Sequence, residues 1–235
     1  SATGGGSGAV SLTTLDTAST QNFDSLATSG TTNSLSITGW YLDETGSSGN
    51  NNGQYQGGTG SGNGGDTYSF GVAGTNLVTE RAFGGLRSGT LVPVIGAKFT
   101  NNTGSTITSL DIAYNGEMWR AGVVTRNAAD RLDFEYSTNA TSLTDVGATW
   151  TAVDTLDYNS SNINAAAANA LGGNASGNRT AVSATISSLS IANTSSFWIR
   201  WNDFDIASSD DGLAVDDFSI TPPGGVVEKP PAVST

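Results

Sequence analysis

Apolar and polar residues alternate along most of this chain, and this period of two limits what it can fold into. The alternation runs for five to eight residues at a time, as in residues 35–42, 107–114, 131–136, 181–186 and 197–201. Successive side chains of a β-strand point to opposite faces of a sheet, so the pattern is typical of half-buried strands. It predicts an all-β fold, a jelly-roll or concanavalin-like β-sandwich of two antiparallel sheets with about ten to twelve strands.

One dipeptide and two long segments separate some of these predicted strands. Asn115-Gly116 lies between two alternating runs, and both residue types tolerate the positive φ angles of a type I′ turn, so the sequence predicts a hairpin there. Residues 46–66 and 158–179 are rich in small and polar residues and are predicted to be long loops. Such loops are either solvated connections or binding rims. The second has room for one short helix.

Glycine and proline mark both ends of the chain and predict its domain organisation. Residues 1–9 are expected to be a flexible tether, residues 10–221 a single sandwich domain, and residues 222–235 a Pro/Gly linker or tail. The chain starts at Ser1 without a basic segment, which favours a mature exported protein whose signal peptide has been removed. No apolar run reaches the roughly 18 residues of a membrane span, so a membrane-spanning protein is not expected.

The absence of two residue types excludes several classes of function. The chain has no His and no Cys. A Ser-His-Asp triad, a zinc finger, a haem site and a disulfide framework are therefore excluded. The formal charge is −12, which argues against nucleic acid as a partner because nucleic acids attract basic surfaces.

Acidic residues are concentrated near the end of the chain. Six aspartates lie within fifteen residues: Asp203, Asp205, Asp210, Asp211, Asp216 and Asp217. So many like charges repel unless a cation lies among them, and Ca²⁺ prefers six to eight hard oxygen ligands. The sequence predicts a bound Ca²⁺, with Asp24, Asp203, Asp205, Asp211, Asp216 and Asp217 as its ligands. A solvated acidic turn is the alternative.

The aromatic residues are divided between core and surface. Trp40, Trp198 and Phe218 are expected in the core, because tryptophans in a sandwich of this size mostly fill the space between the sheets. Tyr55 lies in the glycine-rich segment 46–66, where core packing does not require an aromatic side chain. It is therefore the predicted ligand-contact residue.

Catalysis would have to use carboxylates. Asp133 and Glu135 share one face of a predicted strand, and Glu117 follows the predicted turn. Glycosidases on β-sandwiches use paired carboxyl groups, but Thr138 occupies the place where the third acid of the familiar sandwich glycosidase pattern would stand. Carboxylates that keep a surface soluble are commoner, so the chain is not expected to be an enzyme.

Several separate stretches carry a resemblance to a known domain. Residues 95–112, 116–120, 131–137, 197–204 and 211–220 resemble a poorly characterised jelly-roll-like β-domain of bacterial secreted and cell-surface proteins. In those proteins the domain often stands beside a sorting segment, a lamin-tail domain or an extracellular nuclease-type domain. The resemblance implies an extracellular module without an assigned activity. The stretch 212–220 also resembles the last strand of calcium-stabilised jelly rolls, where Asp24, Asp216 and Asp217 match the ligand pattern.

Two functions of different class are compatible with these features. The first is a secreted, non-enzymatic surface or matrix protein that acts in adhesion or self-assembly, with other copies of itself or cell-envelope components as partners. Its assembly strand would include Val10, Leu12 and Leu15, which could add to the sheet edge of a neighbour. The alternative is a carbohydrate-binding module of a larger polysaccharide-active protein.

Overall fold

The structure, a computed structural model, describes residues 1–72 and 79–224. Within these residues the chain forms fifteen strands in two sheets and one turn of 3₁₀ helix, Asp154–Leu156. The predicted fold class is confirmed, because the two sheets are mostly antiparallel and pack as a sandwich. The strand number exceeds the predicted ten to twelve because several strands have only two to four residues, too few to show an alternation.

The strands are β1 (Ala2–Gly5), β2 (Val10–Leu12), β3 (Ser19–Gln21), β4 (Trp40–Gly46), β5 (Tyr55–Gly58), β6 (Asp66–Phe70), β7 (Ala82–Leu86), β8 (Leu91–Asn101), β9 (Leu110–Arg120), β10 (Arg131–Ser137), β11 (Thr151–Ala152), β12 (Tyr158–Asn159), β13 (Arg179–Ile186), β14 (Ser196–Asp203) and β15 (Gly212–Thr221). One sheet has the order β1-β4-β8-β14-β10-β11, with β2 paired to β8 and β12 to β10. The other has the order β13-β9-β15-β7-β6-β5, with β3 paired to β15. Among the strand pairs of the described residues, only β2–β8 and β5–β6 are parallel.

The core between the sheets is built around Trp201. Its ring stacks on Trp40 at 6.2 Å and meets Tyr114, Phe134 and Phe218 edge to face at 5.3, 5.3 and 5.8 Å. These arrangements are the ones that aromatic quadrupoles favour. All five side chains are buried, which confirms the core assignment of Trp40 and Phe218.

Trp198 is buried on the outer side of its sheet. It lies three residues before Trp201 on β14 and therefore points the other way. There it packs with Val94 and Leu143, and Leu143 belongs to the segment after β10 that folds over this face. Trp198 is thus a core residue, as predicted, but of a satellite cluster.

Asn115-Gly116 is not a turn. Both residues lie inside β9, so the predicted hairpin is wrong. A Cβ on Gly116 would lie 2.1 Å from a ring carbon of Tyr158, so the position serves close packing against that ring. Residues 158–179, all of them described, contain β12 and no helix.

The first twelve residues belong to the sandwich. β1 pairs with β4, from Ala2 opposite Glu44 to Gly5 opposite Tyr41, so the prediction of a flexible tether at residues 1–9 is wrong. The backbone hydrogen bonds of this edge strand hold the segment in place. Of the predicted tail, residues 225–235 lie outside the described residues.

The predicted assembly strand is also used within the chain. Val10 and Leu12 lie in β2, which pairs in parallel with β8, and Leu12 is buried. Leu15 packs against the core from beyond the strand. These side chains stabilise their own sandwich, which corrects the prediction of a strand free to join a neighbour.

The topology brings three chain segments together at one end of the sandwich. β10 and β14 are antiparallel neighbours, with Leu132 opposite Asp203, so the start of β10 lies beside the end of β14. The chain then crosses to the other sheet through residues 204–211 and enters β15 at Gly212, which lies opposite Arg120 at the end of β9. Residues that flank these strand ends therefore converge.

Candidate metal centre

Three carboxylates converge at this end of the sandwich. Asp130 directly precedes β10, Asp203 is the last residue of β14, and Asp210 lies two residues before β15. One carboxylate oxygen from each lies within 4.8 Å of the others, and all three residues are buried. We call this group the carboxylate centre.

Asp203 is the member without protein partners. It is 3% exposed, and neither of its carboxylate oxygens has a hydrogen-bond partner among the described residues. Asp130, in contrast, accepts hydrogen bonds from the backbone N–H groups of Arg131 at 2.8 Å and Asp211 at 2.6 Å. A buried carboxylate without partners costs several kcal/mol when it is ionised. Asp203 must therefore be protonated or neutralised by a cation.

The pKa values of the centre are raised for the same reason. Burial, followed by the charges of Asp130 and Asp210, raises the pKa of Asp203 well above its usual range, although the nearby charge and backbone N–H of Arg87 lower it in part. Burial is also the largest cause at Asp130, where it raises the pKa to about 7, and at Asp210, where the pKa is raised. At neutral pH the centre without metal thus retains protons that a cation would displace.

The nearest arginines are directed at other groups. Arg87 donates from Nη1 to the backbone carbonyl of Asp203 at 2.8 Å, and its Nε lies 3.4 Å from Asp205. Arg126 donates from Nε and Nη2 to both carboxylate oxygens of Asp211, at 3.0 and 2.8 Å. In the part of the chain that the structure describes, no Arg or Lys nitrogen lies within 4.0 Å of the centre's carboxylate oxygens. The protein itself supplies no direct ion pair.

Only one of the six predicted ligands belongs to this centre, namely Asp203. Asp205 points outward, with its side chain 71% exposed. Asp211 is buried, but the bidentate pair with Arg126 occupies its carboxylate, so its contribution is the backbone N–H that it donates to Asp130. Asp203, Asp205 and Asp211 are close in sequence but therefore have three different roles.

The other three predicted ligands lie elsewhere. Asp24 is exposed and accepts a hydrogen bond from the backbone N–H of Arg81 at 3.2 Å. Asp217 is exposed and forms a 2.6 Å ion pair with Arg179. Asp216 belongs to a different acidic group, so the expected single site with all six ligands is not present.

That second group combines Asp216 with Glu80 and Glu117, whose oxygens also lie within 4.8 Å of one another. Glu117 is 0% exposed, accepts a 3.0 Å hydrogen bond from Trp119 Nε1, and lies 3.3 Å from Arg179 Nε. Burial, the largest cause, raises the pKa of Glu117 to about 7 and that of Asp216 to about 8. Because this group has a protein counter-charge, the carboxylate centre is the better metal site.

Tyr55 is not a surface residue. It is 4% exposed, lies in β5, and packs edge to face against Phe83 at 6.3 Å. Its hydroxyl accepts a hydrogen bond from the backbone N–H of Ala27 at 3.0 Å. The prediction of a ligand contact is therefore wrong, because the ring has no exposed face for a sugar.

Asp130 was missed by the sequence reasoning, and Asp210 was noticed in the acidic run but not chosen as a ligand. Asp130 directly precedes a strand that the alternation does predict. That position placed it at a strand end, but only the pairing of β10 with β14 shows that this end adjoins Asp203. Strand pairing is the information that the sequence pattern lacks.

Without a metal ion, the protein is expected to lose stability as the pH rises from about 5 to about 8. The folded state keeps protons on Asp130, Glu117 and Asp216, whose pKa values are about 7, 7 and 8. The unfolded state releases them near pH 4, so the stabilisation is complete below about pH 4 and is lost as the pH rises through the folded-state values. Calorimetry in EDTA should show a Tm that falls over this range, and a rising Tm would contradict the assignment.

Comparison with known proteins gives only remote matches. No protein-family model matches the chain, and no curated protein is significantly similar in sequence. The resemblance to a bacterial surface domain therefore stays a prediction.

Several solved structures match the fold in part. The K1 cleaved adhesin domain of Lys-gingipain from Porphyromonas gingivalis W83 has 13% identity and a TM-score of 0.43, covering 88% of this chain and 99% of that one. The enzymatically active domain of tailspike protein 4 of bacteriophage CBA120 has 10% identity and a TM-score of 0.42, covering 78% of this chain and 19% of that one. The Clostridium thermocellum xylanase 10B CBM22-1–GH10 modules, complexed with xylohexaose, have 16% identity and a TM-score of 0.37, covering 90% and 28%. No functional conclusion follows from similarity at this level.

None of the helices in the described residues has the length and apolar character needed to cross a membrane.

Proposed function

We propose that this chain is a non-catalytic, extracellular binding domain in which a calcium ion on the carboxylate centre fixes the loops that recognise a surface polysaccharide. The observation that carries the proposal is the buried carboxylate of Asp203, which has no hydrogen-bond or ion-pair partner among the described residues and lies against Asp130 and Asp210. A divalent cation would offset two of these three charges and connect the ends of both sheets. The ligand-binding loops would then depend on the ion.

The donor set favours calcium over other metals. Every candidate ligand is a hard carboxylate oxygen, and the chain contains neither His nor Cys, the ligands that zinc and copper prefer. Ca²⁺ accepts irregular oxygen shells that backbone carbonyls and water complete, whereas Mg²⁺ demands near-octahedral geometry. Extracellular calcium modules typically bind at about 0.1–1 mM, which fits a role outside the cell.

The carboxylates that were considered for catalysis are either paired with an arginine or buried. Arg131 donates to Asp133, and Arg200 forms a 2.7 Å ion pair with Glu135. Glu117 is fully buried. A glycosidase requires carboxyl groups that contact the substrate, so these pairings support binding as the activity rather than hydrolysis.

Binding is also favoured over self-assembly. The assembly interpretation depended on a free strand at Val10 and Leu12, and that strand is paired with β8 in its own sheet. The loops at the carboxylate centre, in contrast, offer a surface that a cation would order. We therefore propose adhesion through these loops, rather than self-assembly, as the function at the cell surface.

The test is binding to a panel of polysaccharides in calcium and in EDTA. Wild-type protein should bind at least one polysaccharide in about 1 mM calcium, and this binding should disappear in EDTA. The Asp203→Asn variant should bind the same polysaccharide weakly both in calcium and in EDTA. Asp111→Asn, which removes the same charge from an exposed position near the other end of β9, is the matched control and should behave as wild type. Equal binding in EDTA, or no binding to any polysaccharide, would contradict the proposal.

A further inference from the structure

A cleft of about 470 Å³ lies beside the carboxylate centre. The ends of β7 and β9 and the loop that enters β15 enclose it, and the lining includes Arg87, Ser88, Arg120, Ser208, Ser209 and Asp210. The volume lies within the range of about 300–1,000 Å³ typical of small-ligand sites. This is room for one or two sugar units.

The cleft and the carboxylate centre share a residue. Asp210 contributes a carboxylate oxygen to the centre and also lines the cleft. Ser208 and Ser209, which precede it, form the same wall, and Arg126 donates to the Ser209 carbonyl. A cation that fixes Asp210 would therefore fix this wall of the cleft.

Two arginines give the cleft its positive charge. Arg120 donates from Nη1 to the carbonyls of Gly60 and Ser61, at 3.1 and 3.3 Å, and forms no ion pair with a carboxylate among the described residues. Arg87 donates to the backbone carbonyl of Asp203, and its one ion pair among the described residues is with Asp205, which is largely exposed. Each guanidinium donates from Nη1 to backbone carbonyls, and Nη2 of each forms no hydrogen bond among the described residues.

We propose that this cleft binds the carboxylate of an acidic sugar unit, with Arg120 and Arg87 as the charged donors. The inference rests on the proposed function, because it names the ligand class of the same loop end. Arginine pairs with carboxylates through two parallel hydrogen bonds. Ser88, Asn63, Ser208 and Ser209 offer hydroxyl and amide groups that suit sugar hydroxyls, and the lining contains no aromatic ring for stacking.

The positive charge that would attract an acidic sugar is confined to the cleft. The chain as a whole is acidic, with a formal charge of −12, but at physiological ionic strength charges beyond about 8 Å are largely screened. The two arginines lie near Asp210 and the exposed Asp205, and the cation would offset most of the charge of the carboxylate centre. A carboxylate bound there would meet two guanidinium groups at short range.

The experiment is a calorimetric titration with trigalacturonate and with its methyl ester, both in about 1 mM calcium. The ester keeps the sugar framework and removes the charge. Wild-type protein should bind the acid at least about tenfold more tightly than the ester, since charge-assisted hydrogen bonds contribute about 1.5–3 kcal/mol. Arg120→Gln should remove a large part of this preference for the acid, because only Arg87 remains, and Arg120→Lys should restore part of what is lost.

Lys98→Gln is the matched control, because it removes one positive charge from β8 outside the cleft lining. It should leave both affinities unchanged, and the Tm of each variant reports whether it folds. Equal affinity for acid and ester, unchanged binding in Arg120→Gln, or tighter binding of a sulfated trisaccharide that has no carboxylate would overturn the inference. Calcium-dependent binding of neutral polysaccharides would then still support the proposed function, whereas loss of calcium dependence for every glycan would overturn both.

Discussion

Replacing Asp203 by Asn is expected to stabilise the calcium-free protein and to destabilise the calcium-loaded one. In EDTA at neutral pH the substitution removes a buried group that lies against Asp130 and Asp210 without a hydrogen-bond partner. In calcium it removes the ligand with two unoccupied oxygens. This reversal of sign distinguishes a metal ligand from a residue that merely packs.

The magnitude follows from mass action. At a calcium concentration of about 100 times Kd, an ion bound only by the folded state adds about 2.7 kcal/mol. For a chain of this size that corresponds to a Tm increase of roughly 5–10 °C. Wild-type protein should show this increase when calcium is added, and Asp203→Asn should show little or none.

Asp205→Asn provides the comparison for this measurement. It removes the same charge two residues away, but the Asp205 side chain is exposed and outside the centre. Its calcium response should equal that of the wild type. Should Asp203→Asn fail to fold, Asp210→Asn tests the same point, and a full calcium response in either folded variant would contradict the assignment.

Truncation of Trp201 to Ala is expected to be among the most destabilising substitutions in the core. Its indole contacts four aromatic rings contributed by both sheets. Large-to-small substitution at such a site costs about 3–5 kcal/mol, since it removes apolar burial and leaves a cavity. Calorimetry should show a Tm decrease of roughly 6–20 °C, with and without calcium.

Trp150→Ala is the control for this prediction. Trp150 is half-buried on the outer side of the same sheet, where its ring lies 3.7 Å from the Arg200 guanidinium carbon. The Trp150→Ala substitution should lower the free energy of unfolding by less than half as much as Trp201→Ala. Equal effects would contradict the position of Trp201 at the centre of the sandwich.

Much of the fold could be predicted because alternation directly reports half-buried strands. The runs near residues 131–136, 181–186 and 197–201 became β10, β13 and β14 almost residue for residue. Short edge strands such as β1 and β5 could not be predicted, because glycine-rich segments have no alternation and pair only where a neighbouring edge is available. Tyr55 was misjudged for this reason, since its segment appeared to be a loop.

The carboxylate centre was predicted less well than the fold, because carboxylates that are close in sequence lie far apart when they are on an extended strand. Each strand residue advances about 3.3 Å, so Asp216, five residues beyond Asp211, lies roughly 17 Å farther along β15. The acidic run therefore contributes to two groups, one at the end of the sandwich and one on a sheet face. Asp130, distant in sequence, completes the first group through the pairing of β10 with β14.

Anomalous X-ray diffraction from crystals grown in calcium is the most direct test of the carboxylate centre. A single calcium peak is expected among Asp130, Asp203 and Asp210, with oxygen ligands at about 2.3–2.6 Å. A map with no peak there, or with the only calcium peak at Glu80, Glu117 and Asp216, would contradict the account.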